Sequence, residues 1–436
     1  MKYEDAKKIT QTLLKELSRA NVPNIRQVKA GNLLQQVVQS PIIKHYRNKC
    51  EFSCGLTVDS EICVGFVGGR MAKRFCPIVP ANDSVLITEN MRKICEVFTE
   101  EIVKKSDLDV FDEFQRTGFW KRLTVRDFSG DCMIIITVHP FADEEKIKEC
   151  KQKILDTFLK FGNLTDQFDF SVRSVYWGVN ENVSDPIVYE HIGGAPFVYE
   201  SILNVRFRVS PHTFFQSNSR GAAQLYTIIG DFLGLPNVDR STNLQNDEQE
   251  NNGQISNLSK SIYLLDICCG AGTIGQCLSR RIEYAMQAGK FNGSYACIGV
   301  EIVDQAVQDA KRNAEENGFN KQKCRYVSGD AESVFRQLNN YFNIDPNDEN
   351  LSYLGVLDPP RAGLSTKVIL SCRKLEKMRK LVYVSCDPKL ALNNLVSLCR
   401  PESKKYEGTP FTIEKICPVD MFPQTRHCEW VVLLTR

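Results

Sequence analysis

Three stretches of the chain carry residue types whose spacing allows chemistry. Leu381-Val382-Tyr383-Val384 is β-branched and aromatic enough for a buried strand, and it delivers Ser385-Cys386-Asp387-Pro388 to an end where Pro388 cannot continue a sheet ladder. Cys386 therefore belongs at a carboxyl edge, where open α/β sheets bind ligands. A thiol there is a nucleophile or a small buried hydrophobe, and with 17 cysteines in the chain its position alone does not decide. Upstream, Leu265-Asp266-Ile267-Cys268-Cys269-Gly270-Ala271-Gly272-Thr273-Ile274-Gly275 reads as a strand, a glycine turn and a helix start. Gly270, Gly272 and Gly275 let the backbone approach a ligand, and the first helical turn offers free N–H donors. Glu301 closes the next strand, where an acid can hold ribose hydroxyls. The gap from Asp266 to Glu301 exceeds the roughly 20 residues of dinucleotide binders, which we attribute to residues 286–295. On this motif alone a nicotinamide dehydrogenase stays open. The third stretch, Asp358-Pro359-Pro360-Arg361, closes a further strand.

These groups meet only if a parallel sheet positions them. From residue 261 the chain alternates strand and helix: strands at 262–268, 295–301, 324–329, 353–357 and 381–385, helices at 274–288, 305–317, 332–339, 368–373 and 390–399, then tail strands at 411–418 and 428–435. The pattern predicts right-handed βαβ units and a doubly wound, Rossmann-like α/β domain. Residues 44–210 instead give short alternating strands at 46–56, 61–67, 122–126, 133–138, 172–177 and 197–209, interrupted by helices at 89–105 and 144–160, an α+β pattern. Ile9, Leu13, Leu14 and Leu17 share one face of an amphipathic helix near the start. Residues 236–260, dominated by Asn, Gln, Ser, Asp and Glu, are expected to be a disordered insertion. The expected organisation is an N-terminal helical segment at 1–43, a smaller α+β domain at 44–204 and the α/β domain at 205–436.

Composition narrows the setting. Fifty-five Lys plus Arg against 53 Asp plus Glu leave a net charge of +2, so a polyanion partner has to be argued from local patches. Lys44-His45-Tyr46-Arg47-Asn48-Lys49 is such a patch, with Arg70, Lys73 and Arg74 following one hairpin later. Cations around an aromatic suit phosphate contact and base stacking, and they also suit a solvated sheet face. No run approaches the roughly 18 apolar residues of a membrane span. The first residues fit neither a secretory signal nor an acid-poor transit peptide, so a reducing, cytoplasmic and/or nuclear setting is expected. In that setting the odd, scattered cysteines read as free thiols.

The acid ahead of the glycines resembles the S-adenosylmethionine methyltransferase signature. In amino-methyltransferases that act on adenine, the tetrad at Asp358 ends in an aromatic, and Arg361 in that place argues against adenine. Four segments, Phe215-Gln216-Ser217-Asn218, Asp358-Pro359-Pro360-Arg361-Ala362-Gly363, Ser385-Cys386-Asp387-Pro388 and Phe422-Pro423-Gln424-Thr425-Arg426-His427-Cys428-Glu429, together resemble the RNA uracil-5-methyltransferases in order and spacing. Tyr46-Arg47-Asn48-Lys49-Cys50-Glu51-Phe52 and Ser210-Pro211-His212-Thr213 are similar to the animal, tRNA-modifying branch. The resemblance spans residues 44–436.

It implies Cys386 as the nucleophile and Glu429 as the base. Gln216, Asp266, Gly270, Gly272, Gly275, Glu301 and Asp358 would lie around S-adenosylmethionine, and Tyr46, Arg47, Lys49 and Arg361 would lie against RNA. It further implies an RNA-binding role for the α+β domain and a T-loop uridine of tRNA as substrate. A tRNA-folding factor on the same scaffold, or a uracil-5-methyltransferase of another RNA, are the alternatives. Some bacterial relatives carry an iron–sulfur cluster. Cys50, Cys54, Cys63 and Cys76 are too evenly spread for one, the first two being about 13 Å apart on a strand, so neither a cluster nor another metal is expected. The animal branch also carries an RNA-recognition module ahead of this region, and the residues before 44 are too few to hold one.

Overall fold

The computed structural model describes residues 1–69, 76–160, 170–182, 185–237, 261–345 and 347–436. Arg70, Lys73, Arg74 and residues 238–260 of the insertion lie outside the described residues. The chain forms two compact units: Met1–Pro41 with Ser201–Phe207 and Arg220–Arg436, and Ile42–Glu200 with Arg208–Ser219.

The second of these is α+β. Its sheet runs in the order β3 (Ile78–Pro80), β2 (Ile62–Val67), β1 (Lys49–Leu56), β4 (Trp120–Phe128), β5 (Asp131–Val138), β6 (Ser171–Val179), β7 (Tyr189–Gly194). Only β5 and β6 pair in parallel, as the intervening helix Glu144–Leu155 requires of a crossover. Asp143 caps that helix through Lys146 N at 3.0 Å, and Thr88 caps Glu89–Val97 through Met91 N at 3.2 Å. Phe52, Met91, Ile94, Trp120, Ile134 and Trp177 fill the core between sheet and helices. Two short strands, β3 and β7, escaped the sequence pattern. The strand expected over 197–209 is a hairpin, β8 (Val198–Ile202) and β9 (Val205–Val209), because Leu203 and Asn204 both take left-handed φ values of 49° and 61°. Leu203 hid the turn by being apolar.

The other unit carries a seven-stranded sheet ordered β12 (Cys324–Ser328), β11 (Ser294–Glu301), β10 (Ser261–Ile267), β13 (Leu351–Leu357), β14 (Met378–Ser385), β16 (Glu429–Thr435), β15 (Thr412–Val419). Strands β12 to β14 are mutually parallel, while β16 runs antiparallel between β14 and β15. The order reverses between β10 and β13, each reached from β10's two sides, which makes the crevice above their carboxyl ends the topological switch point. Leu265, Ile267, Val300, Leu357, Leu381, Tyr383, Val432 and Leu434 fill one face of the sheet, and Leu264, Val356, Val382 and Leu433 are buried on the other, as near-continuous apolar strands demand. Helix Lys2–Arg19 packs Ala6, Leu13 and Leu17 into this same core. The chain after it lies along β15, with Gln35 N on Ile416 O at 2.8 Å and Val38 N on Pro418 O at 2.9 Å, so the sheet edge is covered.

Candidate active site

The reversed direction of β16 is what assembles the site. Its first residue, Glu429, starts at the edge where β14 ends, and the β14–β16 ladder closes on Ser385 opposite Trp430. Cys386 follows Ser385 just past the end of β14, beside the start of β16 at Glu429. Adjacent strand ends thus bring two groups distant in sequence close enough for the Glu429 charge to act on the Cys386 thiol. Cys386 is partly buried, one of four cysteines among the seventeen that are not fully so. Asp387 follows it as the cap of helix Pro388–Cys399, accepting from Lys389 N at 3.1 Å with proline at the first helical turn.

Glu429 is 3% exposed, and its Oε2 has no hydrogen-bond partner. Burial, reinforced by the nearby Asp358, pushes its carboxyl up to about 8. Asp358, at the end of β13, is itself raised to about 6 by burial. Asp266 is fully buried on β10; burial, offset in part by the Gly275 N–H and reinforced by Asp358 and Glu301, raises it to about 7. Its Oδ2 accepts from Gly275 N at 2.9 Å and its Oδ1 has no partner. The switch point is thus lined by buried carboxyls, with Asp358 raising both Glu429 and Asp266 and two unsatisfied oxygens among them.

Burial first, and the Glu429 carboxylate second, push the Cys386 thiol above its ordinary value. Arg361 opposes them through a hydrogen bond to the sulfur and through its charge, and Asp358 adds to the upward push. Arg361 and Cys386 line one small hollow with Pro359, Pro360 and Tyr383. The sequence placed Arg361 against RNA; the structure sets it beside the thiol. The loop carrying it is pinned by Asn394, whose Oδ1 accepts from Leu364 N at 2.8 Å and Tyr383 Oη at 2.9 Å. Nothing in the sequence reading singled out Asn394, a polar residue on the packed face of an apolar helix.

The glycine turn links the end of β10 to the helix Thr273–Gln287. Gly272 has φ 77°, and a Cβ there would stand 2.8 Å from Gln276 Nε2 and 2.9 Å from Tyr326 Oη. A Cβ on Gly275 would meet Cys297 Sγ at 2.6 Å and Asp266 Oδ2 at 2.8 Å, so this glycine lets the helix start reach the Asp266 carboxylate. Above Gly270 a side chain would meet only open space. Glu301 is engaged with backbone: Oε2 accepts from Gly270 N at 3.1 Å, and Oε1 from Ile302 N at 2.8 Å and Val303 N at 3.0 Å. It holds the turn in shape as well as facing it.

Gln216 belongs to the α+β unit, where it is buried and its carbonyl accepts from Asn48 Nδ2 at 2.9 Å. In the same unit Tyr46 is 7% exposed, so its ring offers no free face to a base, and it precedes β1 instead of lying on it. Lys49 pairs with Glu51 at 2.8 Å, and Arg47 Nε donates to Lys49 O at 3.4 Å. The expected stacking platform at Tyr46 is therefore replaced by packing. Among the described residues no group of three or more His, Cys, Asp or Glu is placed to hold a metal ion, and no helix is long and apolar enough to cross a membrane.

Comparison with known proteins identifies relatives along the whole chain. The family profile described as tRNA (Uracil-5-)-methyltransferase matches residues 250–436. A mouse relative, tRNA (uracil-5-)-methyltransferase homolog A, is 32% identical over 99% of this chain and 65% of its own length, and the human homolog A matches over 64% of its length. The chain thus spans about two thirds of those relatives. The homolog B of Pongo abelii is 30% identical over 100% of this chain and 83% of its own. A crystal structure of the Pyrococcus abyssi tRNA (uracil-54, C5)-methyltransferase in complex with S-adenosyl-L-homocysteine superposes with a TM-score of 0.61 at 21% identity, covering 99% of this chain and 82% of that one, and so shares the fold.

Proposed function

The chain belongs to the tRNA (uracil-5-)-methyltransferase family, and on that premise we propose that it methylates C5 of a T-loop uridine in tRNA, using S-adenosylmethionine and a covalent adduct between Cys386 and C6 of the base. The observation that carries this is the nearness of Cys386 to both Glu429 and Arg361 at the carboxyl edge of β14 and β16. Such a grouping suits no hydride transfer.

The crevice fits the cofactor on its own terms. Asp266 Oδ1 and Glu429 Oε2 lack partners, the space over Gly270 is open, and buried carboxyls raised by burial and by the nearby Asp358 favour a cationic ligand. Asp266, Gly270, Gly272, Gly275, Glu301 and Asp358 would hold it, with Gln216 as a further contact. S-adenosylmethionine, when bound, supplies the electrophilic methyl that an activated C5 takes. Cys386 provides the activation: addition of its thiolate to C6 moves electron density onto C5, C4 and O4, which splits one difficult step into two easier ones. Arg361 stabilises that thiolate. Glu429 then removes the C5 proton as its carboxylate, and the electron pair expels the Cys386 sulfur as the C5–C6 double bond re-forms. Free Glu429 is mostly protonated at neutral pH, so a nearby positive charge readies the base by lowering its pKa.

The target base has to leave its stack, at a cost of a few kcal/mol. We assign that binding to the α+β unit, with Arg47 and Lys49 as phosphate contacts, and place the activity in the cytoplasm or nucleus, where seventeen free cysteines stay reduced. Mass analysis of nucleosides from unmodified tRNA incubated with protein and cofactor tests the reading: 5-methyluridine is expected, and none refutes it. A Cys386→Ala protein that still sustained the tRNA-dependent function would favour the folding-factor reading instead.

A further inference from the structure

The cleft in front of Cys386 has a second wall that the chemistry does not use. It encloses about 750 Å³, within the range of roughly 300–1,000 Å³ typical of small-ligand sites. Lys389 and Leu392 of helix Pro388–Cys399 form one side, Lys8, Ile9 and Thr12 of helix Lys2–Arg19 the other, and Arg426 stands at the rim. Cys386 itself opens into it.

The two walls are fastened together. Lys2 Nζ pairs with Asp420 and donates to Phe422 O at 2.9 Å and His427 O at 2.8 Å, so the N-terminal helix is fixed to the loop that leads into Glu429. Lys2 is thereby occupied. Lys8, Lys389 and Arg426 are exposed, and no ion pair engages them among the described residues. The acids of the cleft are Asp5 and Asp387, and the Asp387 carboxylate already caps the helix. Three side-chain cations on three separate elements thus surround an opening with Ile9 and Leu392 as its apolar floor and a nucleophile at its inner end.

We propose that this cleft is an RNA-strand subsite, in which Lys8, Lys389 and Arg426 hold phosphates flanking the nucleotide presented to Cys386. The proposal rests on the reading of Cys386 as a nucleophile toward an RNA base. A backbone that delivers an extrahelical base to a thiol must bring its own phosphates through the same opening, and cations spaced around it match that repeat of charge. Apolar side chains between them suit a sugar or base face.

The test uses the Cys386→Ala protein, which binds without reacting, and an unmodified tRNA transcript in fluorescence anisotropy across a salt series. Adding Lys8→Glu and Arg426→Glu should raise the RNA dissociation constant at least tenfold. It should also flatten the plot of log affinity against log salt by about one for each cation removed. S-adenosylhomocysteine affinity, measured on the same samples, should stay within twofold and reports that the fold is intact. The milder pair Lys8→Gln and Arg426→Gln should raise the dissociation constant less and flatten the slope no more. Unchanged RNA affinity and salt slope in these variants overturn the subsite, as does an equal loss of heparin binding, which marks a generic polyanion patch. If the unaltered protein forms no 5-methyluridine but the substitutions weaken RNA binding, the reaction assignment falls and the subsite stands. If it forms 5-methyluridine and the substitutions leave the KM for RNA unchanged, the subsite alone falls.

Discussion

Replacing Glu429 by Gln should stabilise the free protein, and by an amount that grows with pH. The carboxyl is 3% exposed and its pKa rises from 4.5 to about 8, chiefly through burial. In the unfolded chain it ionises near 4.5; in the folded chain it keeps its proton up to about 8. Between those values the folded state binds the extra proton, so stability falls as pH rises through this window and levels off above it. At about 1.36 kcal/mol per pK unit, the loss is under about 1 kcal/mol at pH 5 and about 4 kcal/mol at pH 8. Gln has the same shape and no ionisation. Any unpaired amide it leaves costs the same at every pH, so the pH dependence of the difference isolates the carboxyl. In thermal unfolding of the two proteins without cofactor, the melting-temperature gap should widen in favour of Glu429→Gln by roughly 4–7 °C from pH 5 to pH 8, at about 1–2 °C per kcal/mol for a chain of this size. A gap that stays constant across this range refutes the claim that burial holds Glu429 protonated.

Two further outcomes follow from the same geometry. Arg361 favours the Cys386 thiolate and Glu429 opposes it, so Arg361→Met should slow alkylation of Cys386 by iodoacetamide severalfold at pH 7.5, while Glu429→Gln should move its pH profile downward; equal profiles in all three proteins would mean that neither group acts on the sulfur. Gly275→Ala places a methyl against Cys297 Sγ and the Asp266 carboxylate, so calorimetry should show S-adenosylhomocysteine binding weakened at least tenfold, and an unaltered dissociation constant would remove the glycine turn from the cofactor site.

The α/β unit was largely legible in the sequence because its strands are apolar on both faces and its helices are punctuated by glycine and proline. Strands β10 to β16 fall within a few residues of their expected bounds. Asp266, Gly272, Glu301 and Asp358 could be placed because a strand followed by a glycine turn fixes where side chains emerge. The nearness of Cys386 to Glu429 could not be read from residue types, since it depends on β16 inserting antiparallel between β14 and β15. Arg361 at the thiol and Asn394 beneath its loop escaped for a related reason: each acts through a neighbour that is distant along the chain. In the α+β unit, alternation missed strands of few residues, and a basic segment with a tyrosine suggested an exposed platform where Tyr46 is in fact packed inside.

The most direct test combines Glu429→Gln with unmodified tRNA and S-adenosylmethionine, followed by denaturing electrophoresis and mass analysis. With the proton acceptor gone, the methylated adduct cannot eliminate, so a protein–RNA species resistant to denaturation should accumulate, carry one methyl group, and map to Cys386 and one uridine. The same mixture made with Cys386→Ala should yield none. An adduct that survives the loss of Cys386, or methylated uridine formed without that thiol, would contradict the account.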